Sequence, residues 1–237
     1  MKPASIYGAF NARWLDPEDV ARSFVPTLPF KSLVRLQNSI LMGPRGCGKT
    51  TLLKMLTRRA QRIWQTERLP AEPQWADYRC PDFEAIYIPS DVRWSAELKS
   101  LSQQLTDTPV ESERAQRAAV AISAVIEATR VLEGVLDEQR IDHVGILKAL
   151  ITHIPLGPTV PSFPAVRLKL SQWIDQLHAR IIRRDRVAIG HYLDALPPVF
   201  TSHAIAAIMT ACTVFGEYAR DAAPSRWALC FDELEIA

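Results

Sequence analysis

Ser39-Ile40-Leu41-Met42 runs directly into Gly43-Pro44-Arg45-Gly46-Cys47-Gly48-Lys49-Thr50, and Thr51-Leu52-Leu53 follows. The compact apolar run before Gly43 predicts a buried parallel strand. From Gly48 onward the pattern predicts a helix, with Leu52, Leu53, Leu56, Ala60 and Ile63 on one face and Lys54, Arg58, Arg59 and Arg62 mostly on the others. A strand, a glycine-rich loop and a helix therefore follow one another in that order.

Gly43, Gly48, Lys49 and Thr50 meet the spacing G-x-x-x-x-G-K-T, and the flanking strand and helix supply the context that this spacing needs. The glycines let backbone N–H groups curl around a β-phosphate, and the helix start adds a favourable dipole for the anion. Lys49 is expected to bridge β- and γ-phosphate oxygens. Thr50 is expected to offer its hydroxyl to Mg²⁺, and Thr51 to contact the α-phosphate. Pro44, Arg45, Gly46 and Cys47 complete the loop, Cys47 as a small side chain and Arg45 with a solvated one. A glycine turn ahead of a helix would explain Gly46 or Gly48 singly, but not a lysine and a threonine at these offsets.

Downstream, Ala85-Ile86-Tyr87-Ile88 predicts a second buried strand. After Asp91 the pattern is helical almost to the end. Stripes appear at Ala118, Ile122, Val125, Ile126, Thr129 and Leu132, at Leu170, Trp173, Ile174, Leu177 and Ile181, and at Ile205, Ile208, Met209, Cys212 and Phe215. A proline-rich stretch from Pro155 to Pro164 separates two of the helical blocks. Arg226-Trp-Ala-Leu-Cys-Phe231 then predicts a last short strand, followed by Asp232 and Glu233. A strand ending in Asp-Glu suits nucleotide hydrolysis: Asp232 would hold Mg²⁺ and Glu233 would orient the attacking water.

Upstream, Asp16-Pro17-Glu18-Asp19 has the form of a helix start, with an acceptor at the cap, proline at the first position and acids in the first turn. Phe24-Val25-Pro26 ends that helix, and a second short one fits Pro29 to Leu36.

The chain has 237 residues, 48% of them hydrophobic and 23% charged, which is enough for a full core. A formal net charge of +2 does not argue for nucleic-acid or membrane attraction, so any such role rests on local clusters. Cys47, Cys80, Cys212 and Cys230 form no CxxC pair, and the five histidines form no H-E-x-x-H, which argues against zinc and against a disulfide framework. No apolar stretch approaches the roughly 20 residues of a membrane helix. A soluble, cytoplasmic protein is expected.

Asn11-Ala-Arg13, Phe24-Val-Pro26, the Gly43 to Leu56 segment and Phe231-Asp-Glu-Leu-Glu235 together resemble bacterial ATPases of the ORC/Cdc6-like AAA group. The resemblance covers the two ends of the chain and not its middle. It implies ATP as the nucleotide and places Val25 and Pro26 beside the adenine. It also brings a role in bacterial phage defence into view. The family would place further strands, sensor residues and a helical lid after the acidic pair. The expectation is therefore an α/β P-loop core with a parallel sheet, incomplete at its C-terminus. Residues 1–91 would form the first part of the core, 92–222 a mostly helical insertion, and 223–237 the returning Asp-Glu strand.

Two other phosphate-loop classes fit less well. Val214 to Ser225 contains nothing like the LSGGQ signature of an ABC-type ATPase, and Arg180, Arg183, Arg184 and Arg186 sit on an amphipathic helix rather than in a kinase lid. Two functions remain: a Mg²⁺-dependent ATPase whose nucleotide state controls assembly or partner binding, or a nucleotide-gated interaction or nucleic-acid-binding scaffold with little hydrolysis, whose helical insertion carries the contacts and whose arginines are the candidates for phosphates of DNA or RNA.

Overall fold

The computed structural model describes residues 12, 15–35, 37–44, 46–71, 75, 78, 81–88, 109–139, 143–154, 156, 162–202, 209, 212–214 and 226–232. It separates into two compact units, one drawn from residues 1–87 with 224–232 and the other from 88–223 with 233–237. The described residues are mostly helical with one small parallel sheet of two strands, which is compatible with the α/β class.

The first unit opens with α1 (Pro17–Ser23), which carries Pro17 near its start and Glu18 and Asp19 in its first turn. Phe24 leaves the helix in an extended conformation, and α2 (Leu28–Leu33) follows. After the glycine loop come α3 (Lys49–Met55), α4 (Arg58–Ile63) and a π-helical turn over Trp64–Arg68. Trp64 is fully buried, with Phe24 and Phe30 packed edge-on, each 6.0 Å from it between ring centroids. Ion pairs tie the periphery to this aromatic core, Arg59 to Glu18 at 2.6 Å and Arg22 to Glu67 at 3.1 Å.

The single helix expected from Gly48 is two. Thr57 takes an extended backbone between α3 and α4, and its hydroxyl donates to the Lys54 carbonyl at 2.7 Å. The Gln61 side-chain amide donates to the Met55 carbonyl. Side chains thus satisfy carbonyls that a continuous helix would have used, which lets the chain bend. Within α3, Lys54, expected on a solvated face, is buried.

The sheet joins β1 (Glu84–Ile88) to β2 (Trp227–Phe231), and the Glu84 N–H donates to the Arg226 carbonyl at 3.0 Å. Both lie where apolar runs predicted strands. Glu84 is buried and paired with Arg58, so β1 is clamped to α4 by a charge-assisted bond from Arg58 Nε at 2.8 Å.

Ser39–Met42 is not a strand. It is irregular and pairs with neither β1 nor β2, and Ile40 and Met42 are 84% and 89% exposed while only Leu41 packs on the core. An apolar run supplies the side chains of a strand, but a strand also needs a neighbour to satisfy its backbone groups. Among the described residues none lies beside it.

The second unit contains α5 (Pro109–Gln139), α6 (His143–His153), α7 (Phe163–Arg183), α8 (Arg186–Ala195) and α9 (Pro198–Ser202). The long α5 packs against α7, α8 and α9 through its buried stripe of Ala118, Ile122, Val125, Thr129 and Leu132. Arg167 pairs with Glu133 at 2.6 Å to join α7 to α5, and Arg114 with Asp194 at 2.7 Å to join α5 to α8. Ser162 and Asp185 cap α7 and α8 by accepting from the backbone N–H groups of Ala165 and Ala188. Of the last predicted stripe, Cys212 is buried and Met209 exposed, while Ile205, Ile208 and Phe215 lie outside the described residues.

Candidate functional site

The loop from Gly43 to Gly48 needs its glycines for different reasons. Gly46 and Gly48 have φ of 85° and 87°, a left-handed backbone that side chains rarely adopt. At Gly43 a Cβ would lie 2.7 Å from the Cys47 sulfur, a contact that the thiol could relieve by rotating. The Cys47 N–H turns back to the Pro44 carbonyl at 3.3 Å, and Gly48 leads straight into α3, its carbonyl accepting from the Leu52 N–H at 3.0 Å.

Lys49 folds back over this loop. Its Nζ donates to the carbonyls of Gly43 at 2.7 Å and Pro44 at 3.0 Å and lies 3.6 Å from the Cys47 sulfur. An ammonium is thereby held at the mouth of a loop whose two glycines turn through left-handed backbone. That arrangement can receive an anion.

Asp232, immediately after β2, is buried at 6% exposure. Its Oδ2 accepts from Thr50 Oγ1 at 2.8 Å and from Tyr87 Oη at 2.8 Å. Thr50 is the second residue of α3 and Tyr87 lies in β1, so donors from two elements converge on one carboxylate oxygen held at the end of β2. A hydroxyl that donates its proton to a carboxylate keeps lone pairs for a cation. Among the described residues no three His, Cys, Asp or Glu side chains gather into a cage. Mg²⁺ rarely needs one, being held by one or two carboxylates together with water and phosphate oxygens, so a hydroxyl beside a carboxylate at a phosphate loop is a suitable donor set.

Beneath the Tyr87 ring sits Lys54, its Nζ 5.4 Å from the ring centroid and donating to the carbonyls of Ala12 at 2.8 Å and Leu15 at 2.7 Å. Cys230, two positions before Asp232, is buried, and burial pushes its thiol up to about 12, so it is a neutral filler and no nucleophile.

The other residues expected at the site are placed as follows. Thr51 is half-buried on α3. Pro26 is buried, and Val25 is 59% exposed. Arg45 and Glu233 lie outside the described residues. In the second unit, Arg183, Arg184 and Arg186 are exposed around the corner between α7 and α8, while Arg180 stacks on the Tyr192 ring at 4.2 Å.

Tyr87 and Lys54 are the two residues that sequence reasoning did not single out. Tyr87 reads as one member of an apolar strand, and its available signal was the polar tip that a partly buried tyrosine must satisfy. Lys54 reads as solvated because an isolated buried ammonium is costly, and nothing in its neighbourhood of sequence announces the carbonyls of Ala12 and Leu15.

The family model described as ORC-CDC6-like matches residues 5–237. No curated protein and no solved structure matches the chain.

Proposed function

The chain belongs to the ORC-CDC6-like family, whose general character is that of AAA-type ATPases, and from that premise we propose that it is a Mg²⁺-dependent ATPase whose nucleotide state governs its assembly or its hold on a partner. The observation that carries the reading is the hydrogen bond from Thr50 to Asp232, which joins two motifs separated by most of the chain. In this reading the loop Gly43 to Gly48 holds the β-phosphate and Lys49 leaves the carbonyls of Gly43 and Pro44 for β- and γ-phosphate oxygens. Thr50 and Asp232 hold Mg²⁺, and Thr51 contacts the α-phosphate. Glu233 activates water, and Val25 and Pro26 border the base. Residues 1–91 with 223–237 would form the ATPase core, and 92–222 the helical insertion.

Titration calorimetry with ATP and Mg²⁺ tests the site. Lys49→Ala is expected to weaken binding by about 10-fold or more, since a charge-assisted bond to phosphate contributes roughly 1.5–3 kcal/mol. Glu233→Gln is expected to keep ATP affinity while turnover drops by about 10²–10⁴-fold. ATP binding by Lys49→Ala as tight as by the parent would sink the assignment.

A second reading, a nucleotide-gated nucleic-acid scaffold, draws on the α7–α8 corner. Arg184 holds a left-handed backbone at φ 57°, Asp185 caps α8, and Arg183, Arg184 and Arg186 are exposed. If these guanidinium groups contact phosphates, replacing all three with Gln should flatten the dependence of log affinity on log salt by about 0.9 per arginine for duplex DNA. Fluorescence anisotropy with a labelled duplex reads that slope, and a slope unchanged by the triple replacement removes the arginines from the interface.

A further inference from the structure

We infer that Tyr87 is a positioning residue for the metal-nucleotide site, holding Asp232 in the orientation in which it meets Mg²⁺; the inference rests on the ATPase reading above. An aspartate next to a threonine hydroxyl is poorly fixed by that bond alone, because rotation about the last bond of an aspartate side chain is broad and nearly two-fold. Here a second donor from a different element closes on the same oxygen. Thr50 approaches from α3 and Tyr87 from β1, each at 2.8 Å from Asp232 Oδ2. Two donors on different elements fix the carboxylate where one would leave it a hinge.

The register of the sheet makes this possible. β1 and β2 are hydrogen-bonded neighbours, so a side chain near the end of β1 can reach across to the residue that follows β2. Along β1 the residues on either side of Tyr87, Ile86 and Ile88, are fully or nearly fully buried, whereas Tyr87 is half-buried with its hydroxyl on the carboxylate. Its ring is in turn seated on the Lys54 ammonium, which the carbonyls of Ala12 and Leu15 hold in place. The tyrosine is thus fixed at both ends, by a cation under the ring and by the carboxylate at its tip.

The chemistry divides between the two donors. When Thr50 turns lone pairs to a cation, its contact with Asp232 is shared with the metal site, whereas the phenol of Tyr87 donates to the carboxylate from the neighbouring strand. Groups of this kind set ligand orientation, and their loss ordinarily lowers metal affinity by about 10–100-fold.

The test compares parent and Tyr87→Phe, which removes the hydroxyl and keeps the ring over Lys54. A fluorescent ATP analogue is titrated first in EDTA and then with Mn²⁺ or Mg²⁺. Tyr87→Phe is expected to bind the analogue in EDTA within about twofold of the parent and to need about 10–100-fold more metal for half-saturation. The same change in an Asp232→Ala background is expected to add nothing, because the effect runs through that carboxylate. Equal metal requirement in parent and Tyr87→Phe overturns the inference while leaving the ATPase reading standing, as does an equal loss in both backgrounds. A parent protein whose nucleotide binding ignores metal overturns the ATPase reading and the inference with it.

Discussion

Lys54→Met asks whether the buried ammonium is a structural clamp. Methionine matches the length of the lysine stem and fills the same space, so the change removes the charge and its donors with little loss of packing. Lys54 is 6% exposed and donates to two carbonyls at 2.8 and 2.7 Å. Hydrogen bonds involving a charged group contribute about 1.5–3 kcal/mol each, so these two together contribute roughly 3–6 kcal/mol. Part returns when the carbonyls of Ala12 and Leu15 turn to water, because Ala12 and Leu15 are only partly buried. The expected loss is therefore about 2–4 kcal/mol. Urea unfolding followed by tryptophan fluorescence reads it as a lowered midpoint with the slope unchanged. Limited proteolysis should at the same time cut ahead of α1 sooner, since the segment carrying those carbonyls loses its anchor. Lys31→Met on the exposed face of α2 serves as the control and should stay within about 0.5 kcal/mol of the parent. A Lys54→Met protein as stable as that control would show that the contacts form without contributing, and the reasoning would fail.

Cys47 is exposed in the glycine loop, whereas Cys212 and Cys230 are buried. A maleimide followed by peptide mass mapping should mark Cys47 and spare Cys212 and Cys230, and ATP with Mg²⁺ should slow the marking of Cys47; labelling at an unchanged rate would place the nucleotide elsewhere. Burial pushes the thiols of Cys212 and Cys230 from an ordinary value of 9.0 up to about 12. Between those values the folded chain keeps protons that the unfolded chain releases, so stability should fall as pH rises above about 9, by at most ~1.4 kcal/mol per pH unit for each thiol. Urea midpoints at rising pH check the sign, and Cys230→Ala should flatten the slope.

The features legible in the sequence are those whose requirement is local. Gly46 and Gly48 stand where the spacing demands a left-handed backbone, and the structure gives them φ of 85° and 87°. The runs around Ile86 and Leu229 carry enough apolar side chain to define β1 and β2. Ser39–Met42 carries as much, yet it is no strand, because side-chain pattern announces burial but not the neighbour that a backbone ladder needs. The break at Thr57 was hidden for the opposite reason. The helical spacing of Leu52, Leu56, Ala60 and Ile63 continues across it, and only the hydroxyl of Thr57 and the amide of Gln61, acting on particular carbonyls, reveal that the helix has stopped.

The same division separates the residues of the site. Thr50 and Asp232 belong to motifs with fixed offsets, so each could be named before its partner was known to be 2.8 Å away. Tyr87 and Lys54 belong to no motif: their roles come from β1 lying beside β2 and from the carbonyls of Ala12 and Leu15 lying over α3. Polarity scales assign the lysine to water and the tyrosine to the core, and each assignment is sound for a side chain considered alone. It fails here because the tips of Lys54 and Tyr87 both find partners on other segments of the chain, which removes the penalty that kept them outside. A polar group whose burial is fully matched in this way fixes orientation as well as position. That requirement falls on Asp232, the carboxylate on which the hydroxyls of Thr50 and Tyr87 converge.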